Sequence, residues 1–295
     1  MNNKPVVVGI DGTAAALHAV RWAAERAVRT GAPLRIIHAY KLPLGFPTGV
    51  TEEESVLNGL RLQGRQWLSE ASNAATEIIA PPSVETELAA MPALAALVRE
   101  SEDASLLVLG NKGRNTLTGL LAGSTSLVLA SQAHCPLVLV RANGADGNPR
   151  TGPIVVGVDG TEASEAALAF AFAEASEQGA PLVALHAWAE SVFETALAAG
   201  NAPLDWARHR QLAEEALAER LAGWQEKYPE VRVERELVHD RPTRALRRCA
   251  ETARLLVVGR RGRGGLVDLL GSTSHHLLHH APCPVAVVRT EPLSS

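Results

Sequence analysis

The chain repeats itself, and the repeat decides what it can fold into. Residues Val6–Thr13 (VVVGIDGT) return as Ile154–Thr161 (IVVGVDGT), Gly31–Ala39 (GAPLRIIHA) as Gly179–Ala187 (GAPLVALHA), and Cys135–Arg141 (CPLVLVR) as Cys283–Arg289 (CPVAVVR), each at an offset of 148 positions. A period this long is a whole domain and not a solenoid unit of 20–50 residues. The 295 residues therefore divide into two similar domains of ordinary size. We expect a first domain over 1–142, a linker over 143–153 rich in glycine and proline, and a second domain over 154–295.

Within each half, short Val/Ile/Leu-rich runs alternate with amphipathic segments of ten or more residues, the pattern of helices crossing between parallel strands. Strands are expected at Pro5–Ile10, Leu34–Ala39, Val84–Leu88, Leu106–Gly110 and Leu137–Val140, with helices at Ala14–Thr30, Glu53–Ile79, Ala93–Glu102 and Ser124–Ala133. The second half repeats the strands at Ile154–Val158, Leu182–Ala187, Val231–Val238, Leu255–Gly259 and Val285–Val288. Near-continuous apolar character in the first, second and fourth strands predicts cover on both faces. Lys41–Thr51 and Ala189–Pro203 are the least regular stretches and are expected as flaps near the strand ends.

With 46% hydrophobic residues, 20% charged and a net charge of -4, the chain offers no electrostatic case for a nucleic-acid or membrane partner. Arg241, Arg244, Arg247 and Arg248 fall at helical spacing and are expected to form a solvated helix face. No segment approaches the ~20 apolar residues that span a bilayer, and the N-terminus runs into a strand with no signal-peptide pattern, so a cytoplasmic location is expected. The three cysteines, Cys135, Cys249 and Cys283, are too few for a disulfide framework and are read as buried free thiols.

Between the fourth strand and the helix after it lies Gly110-x2-Gly113-x9-Gly123-Ser124; the second half has Gly259-x2-Gly262-x8-Gly271-Ser272. Glycines spaced this way let the backbone turn tightly and present peptide N–H groups to a bulky anion. The first turn of the following helix attracts negative charge through its N–H groups and dipole, with Ser124 and Ser126 as further donors and Lys112 and Arg114 as screening cations. An ordinary glycine-rich turn before a capped helix has the same spacing. Duplication and the pairing with Asp11, at the end of the first strand, favour the phosphate cradle. Asp11 itself has two readings that spacing leaves level: a helix-entry residue, or an acceptor for ribose hydroxyls or a metal-bridged phosphate. In an open parallel sheet the ligand crevice lies where the strand order reverses, and the first and fourth strands flank it.

The pattern Gly-x2-Gly-x9-Gly-Ser, with GIDGT about a hundred residues upstream and CPLVLV downstream, resembles the ATP-binding branch of the universal stress protein family in its tandem-domain form. The resemblance covers essentially the whole chain, twice. It implies an α/β fold of two tandem Rossmann-like (adenine nucleotide alpha hydrolase-like) domains, each a five-stranded, mostly parallel sheet with helices on both faces. It further implies ATP, with Mg²⁺, held in the first half by Gly9, Ile10, Asp11, Ala39, Leu109, Gly110, Gly113, Gly123, Ser124, Thr125 and Ser126. The matching second-half positions are Gly157, Val158, Asp159, Ala187, Val258, Gly259, Gly262, Gly271, Ser272, Thr273 and Ser274, with Arg261 and Arg263 adding positive charge. A homodimer and an unidentified regulatory protein partner are also implied, without nucleic acid or membrane.

The second motif is one residue short, which removes up to ~3.5 Å of loop reach and predicts weaker nucleotide binding there; Gly264-Gly265 offers slack. His275, His276, His279 and His280 form two i, i+4 pairs, a spacing compatible with a transition metal. No nearby carboxylate or cysteine completes a shell, so they are read as surface or capping histidines with no metal assigned. No Walker lysine, nucleophile elbow or metalloprotease helix occurs, so an enzyme is not required. The expected function is a nucleotide-dependent stress-response switch, at most a slow ATPase. An ATP-dependent adenylyl transferase or ligase, and a nucleotide-independent scaffold, are the alternatives. The apolar last strands, Leu137–Val140 and Val285–Val288, are expected to pair so that neither leaves a sticky edge.

Overall fold

The computed structural model of the chain describes residues 4–42, 52–81, 83–111, 124–141, 151–188, 206–260 and 270–290. The chain divides into two compact units, Met1–Gly147 and Asn148–Ser295. In the first, the elements run β1 (Val6–Gly9), α1 (Ala14–Thr30), β2 (Leu34–Ala39), α2 (Glu52–Thr76), β3 (Val84–Ala89), α3 (Ala93–Asp103), β4 (Leu106–Asn111), α4 (Ser124–Gln132) and β5 (Leu137–Arg141). The second unit runs β6 (Ile154–Gly157), α5 (Glu162–Gln178), β7 (Leu182–Ala187), α6 (Trp206–Lys227), β8 (Val233–Val238), α7 (Pro242–Cys249), β9 (Leu255–Gly259), α8 (Ser272–His280) and β10 (Val285–Val288).

Strand order is 3-2-1-4-5 in the first unit and 8-7-6-9-10 in the second, and every pair within a unit is parallel. The chain builds outward from β1 to β3, then returns across the sheet to lay β4 on the other side of β1. That reversal opens a crevice at the carboxyl ends of β1 and β4. The central strands β1 and β4 are buried on both faces, as their apolar runs predict. The outer strands β3 and β8 instead carry exposed glutamates, Glu85 in the first and Glu234 in the second, charges that discourage pairing with a foreign edge.

Helices α1 and α5 show why the repeated GT and GAP blocks recur. Thr13 and Thr161 cap their helices, accepting hydrogen bonds from the amides of Ala16 and Ser164 at 3.3 Å. Gly31 and Gly179 end them in the left-handed conformation, φ 64° and 55°, returning their N–H groups to the last turn. Both helices bury stripes of alanine, whose small side chains let the helix axis approach the sheet closely.

Two boundaries differ from the sequence pattern by more than one residue. The second helix stops at Thr76 and not at Ile79, because the amides of Ile78 and Ile79 both turn back to the carbonyl of Ala75 and Pro81 follows. β8 starts at Val233 and not at Val231, whose amide closes the turn after α6 by donating to Tyr228. Arg241 at the N-cap of α7 and Arg244, Arg247 and Arg248 within it are all exposed, with Arg244 on Asp240 at 2.8 Å and Arg248 near Glu236 at 3.4 Å, a solvated helix face as expected. The two expected flaps lie outside the described residues, apart from the two residues at the start of the first. Cys135 and Cys283 are buried and Cys249 half-buried, all as free thiols. Among the described residues no helix is long and apolar enough to cross a membrane.

Candidate functional site

Register brings the expected residues together. Gly9 pairs with Ile37 on one side and Leu109 on the other, so Ile10 and Asp11 leave β1 beside Ala39 and Gly110. In the second unit Gly157 pairs with Leu185 and Val156 with Val257, which sets Val158 and Asp159 beside Ala187, Val258 and Gly259. Each unit therefore has one crevice edge made by an aspartate after strand one and a glycine at the end of strand four.

The aspartates are built into the helix entry and still face outward. Oδ1 of Asp11 accepts from the amide of Thr13 at 3.1 Å and from its hydroxyl at 2.5 Å; Asp159 does the same with Thr161 at 3.0 and 2.7 Å. The threonine passes the arrangement on by capping the helix. Asp11 is exposed and Asp159 half-buried, and an ionised carboxylate has about four lone-pair sites. Helix entry and ligand acceptance are thus compatible roles for the same side chain.

Gly110 and Gly259 owe their identity to a close approach within the protein. A β-carbon on Gly110 would sit 2.3 Å from the carbonyl oxygen of Ala15, and one on Gly259 would sit 2.7 Å from that of Ala163. Glycine here lets the first turn of α1 or α5 rest on the end of strand four, carrying the capped aspartate turn to the crevice.

Helix α8 opens without a side-chain cap: Gly271 occupies the cap position with no side-chain hydrogen bond. The amide of Gly271 donates to the carbonyl of Arg260 at 2.9 Å, and Arg260 donates to Val288 at 2.6 Å, so the base of the intervening loop is closed against the sheet. Ser274, buried, donates its hydroxyl to the carbonyl of Gly259 at 2.6 Å. This hydroxyl, expected to face a phosphate, ties α8 to β9. Ser272 is exposed and Thr273 half-buried. Ser126 is likewise buried and Thr125 half-buried at the start of α4. Lys112, Gly113, Arg114, Gly123, Arg261, Gly262 and Arg263 lie outside the described residues, as does the side chain of Ser124.

Similarity to known proteins bears on this arrangement. The profile of the Universal stress protein family matches residues 2–141 and again 151–289. The chain belongs to the universal stress protein family. A universal stress protein of Mycobacterium tuberculosis (strain H37Rv) is 40% identical over 290 residues, covering 96% of both chains; a second from that strain is 39% identical over 297 residues, again covering 96% of each. Among solved structures, a universal stress protein from Archaeoglobus fulgidus superposes with a TM-score of 0.73 at 17% identity, over 98% of this chain and 100% of its own. The family's tandem form is thus present here in both sequence and fold.

Sequence reasoning overlooked four side chains at the candidate site of this universal stress protein. His38 and His186 place Nδ1 at 2.9 and 2.6 Å from the carbonyl oxygens of Ile10 and Val158. Trp67 covers Gly12, and Arg220 covers Gly160. The histidines were visible as the only polar side chains kept in the repeated strand-two block; Trp67 and Arg220 left no comparable signal. The four histidines of α8 form two ring pairs, His275 with His279 and His276 with His280, at centroid distances of 4.8 and 4.5 Å. Among the described residues no group of three or more His, Cys, Asp or Glu converges to hold a metal.

Proposed function

We propose that this universal stress protein binds adenine nucleotide, ATP with Mg²⁺, at the carboxyl edge of each unit and changes its protein interactions with occupancy, turning the nucleotide over slowly if at all. The observation that carries this reading is the same edge built twice: an outward aspartate on a capped helix turn, beside a strand-four glycine that leads into the glycine/serine motif. Ribose hydroxyls suit the outward-facing carboxylates of Asp11 and Asp159. Phosphates suit the first-turn amides of α4 and α8, and Mg²⁺ suits the hard oxygens of the phosphates and of the nearby hydroxyls and carboxylates. The domains we assign are 1–142 and 154–295, joined by 143–153.

The test is equilibrium uptake of labelled ATP by the full chain in millimolar Mg²⁺, alone and as Asp11→Ala and Asp159→Ala. Uptake that falls in the variants supports the reading, and absence of uptake by the wild-type chain overturns it. Turnover far below typical enzyme rates of ~10 per second would fit a switch; turnover near that rate, with transfer of the adenylyl group to an acceptor, would favour a ligase.

A further inference from the structure

His38 sits in β2 one residue before Ala39, with its ring directed across to the residue that precedes Asp11. A carbonyl oxygen only accepts, so the 2.9 Å approach of Nδ1 to the Ile10 oxygen requires the proton to be on Nδ1. Ile10 is then tied to β2 from both ends of its peptide framework, because its amide donates to the carbonyl of Ile37 at 2.9 Å. The ring has little freedom. Trp67 meets it edge-on, with centroids 5.0 Å apart and planes at 88°, and a β-carbon on Gly64 would come within 2.7 Å of its Cδ2. Trp67 also lies over Gly12, the residue after Asp11. The turn bearing the aspartate is therefore gripped on both sides.

The second unit reproduces the bond with different surroundings. Nδ1 of His186 lies 2.6 Å from the oxygen of Val158, and the amide of Val158 donates to Leu185 at 2.9 Å. There Arg220, held by Glu165, replaces the indole over the glycine. A hydrogen bond that persists when its neighbours change serves the groups it joins.

We infer that His38 and His186 are positioning residues of the two nucleotide sites: each donates from Nδ1 to the carbonyl of the residue before the aspartate and so orients the peptide from which Asp11 or Asp159 projects. Neither imidazole touches the nucleotide in this arrangement. The inference rests on the proposed nucleotide site, and it assigns a donor atom and not merely a ring.

The experiment pairs two substitutions in the full chain. In His38→Asn the amide nitrogen falls near the position of Nδ1, and in His38→Gln near that of Nε2; the same pair is made at His186. Labelled ATP uptake with Mg²⁺ is measured for each, with Asp11→Ala and Asp159→Ala as controls and thermal unfolding in parallel. The asparagine variants are expected to stay within about threefold of wild-type affinity and the glutamine variants to lose about tenfold, the size of one hydrogen bond. Equal affinity in the two variants of a pair, high or low, overturns the inference while leaving the nucleotide site intact. A wild-type chain that takes up no ATP overturns the proposed function instead. Nitrogen-15 spectra of the wild-type imidazoles give an answer that needs no variant to fold: protonation at Nδ1 is expected, and rings protonated only at Nε2 overturn the assignment.

Discussion

Trp67 lies against Gly12 so closely that a β-carbon on the glycine would sit 2.1 Å from the indole ring, while at Gly160 the equivalent atom would meet the end of the Arg220 side chain at 3.0 Å. Both glycines have positive φ, 75° and 82°. Gly160→Ala should cost about 1–2 kcal/mol, the left-handed backbone penalty for a residue with a side chain, since a guanidinium tip can swing aside. Gly12→Ala adds a collision with a rigid ring, worth a further 1–3 kcal/mol or so. Denaturant unfolding of the two variants, followed by the fluorescence of each unit, should rank Gly12→Ala as the more destabilised; the reverse order would contradict this packing.

The two sites should bind unequally. The second motif is one residue shorter, and its loop base is closed by the Arg260–Gly271 bond. Asp11→Ala is expected to remove more ATP affinity than Asp159→Ala, as measured by calorimetry. Equal losses would show that the shortened loop reaches the phosphates as well as the longer one does.

Ser274 should matter for structure before it matters for ligand. Ser274→Ala removes the donor to the half-buried end of β9, so a loss of about 1 kcal/mol in unfolding free energy is expected. ATP uptake at the second site should fall with it, because the start of α8 is no longer tied to strand nine. Unchanged stability with reduced uptake would instead place the hydroxyl on the ligand.

Cys249 should behave as an unreactive thiol. Burial, and then its hydrogen bond to Glu236 at 3.2 Å, push its pKa up from the ordinary 9.0 to about 12. The folded state thus holds the proton more tightly than the unfolded chain does. The stabilisation is fully present below pH 9 and is lost as pH rises from 9 toward 12. Slow alkylation at pH 8 to 9 is expected, faster in Glu236→Gln; a rate equal to that of a free thiol would contradict the half-buried hydrogen bond.

Much of the fold is legible in the residues because its causes are local. Apolar runs with two-sided burial mark β1, β2 and β4, and the threonine caps and left-handed glycines of α1 and α5 announce both ends of each helix. The errors at Ile79 and Val231 sit where a turn hydrogen bond competes with continued helix or strand, a contest that composition does not reveal. At the candidate site, the placing of Asp11 beside Gly110 was legible from motif and topology together, though the reason for glycine at 110 was not: the constraint comes from the Ala15 backbone, ninety-five positions earlier in the chain.

By itself the sequence determined the duplication and the alternation of strand and helix, because periodicity and capping depend on neighbours along the chain. Only the tertiary structure decided what faces the aspartate turn: an indole in one unit, a guanidinium in the other, and a histidine donor in both. The indole and guanidinium contacts depend on how α2 and α6 rotate over their sheets, and the histidine contacts on how β2 and β7 register with their neighbours; both are set by packing between residues far apart in sequence, which no local pattern records.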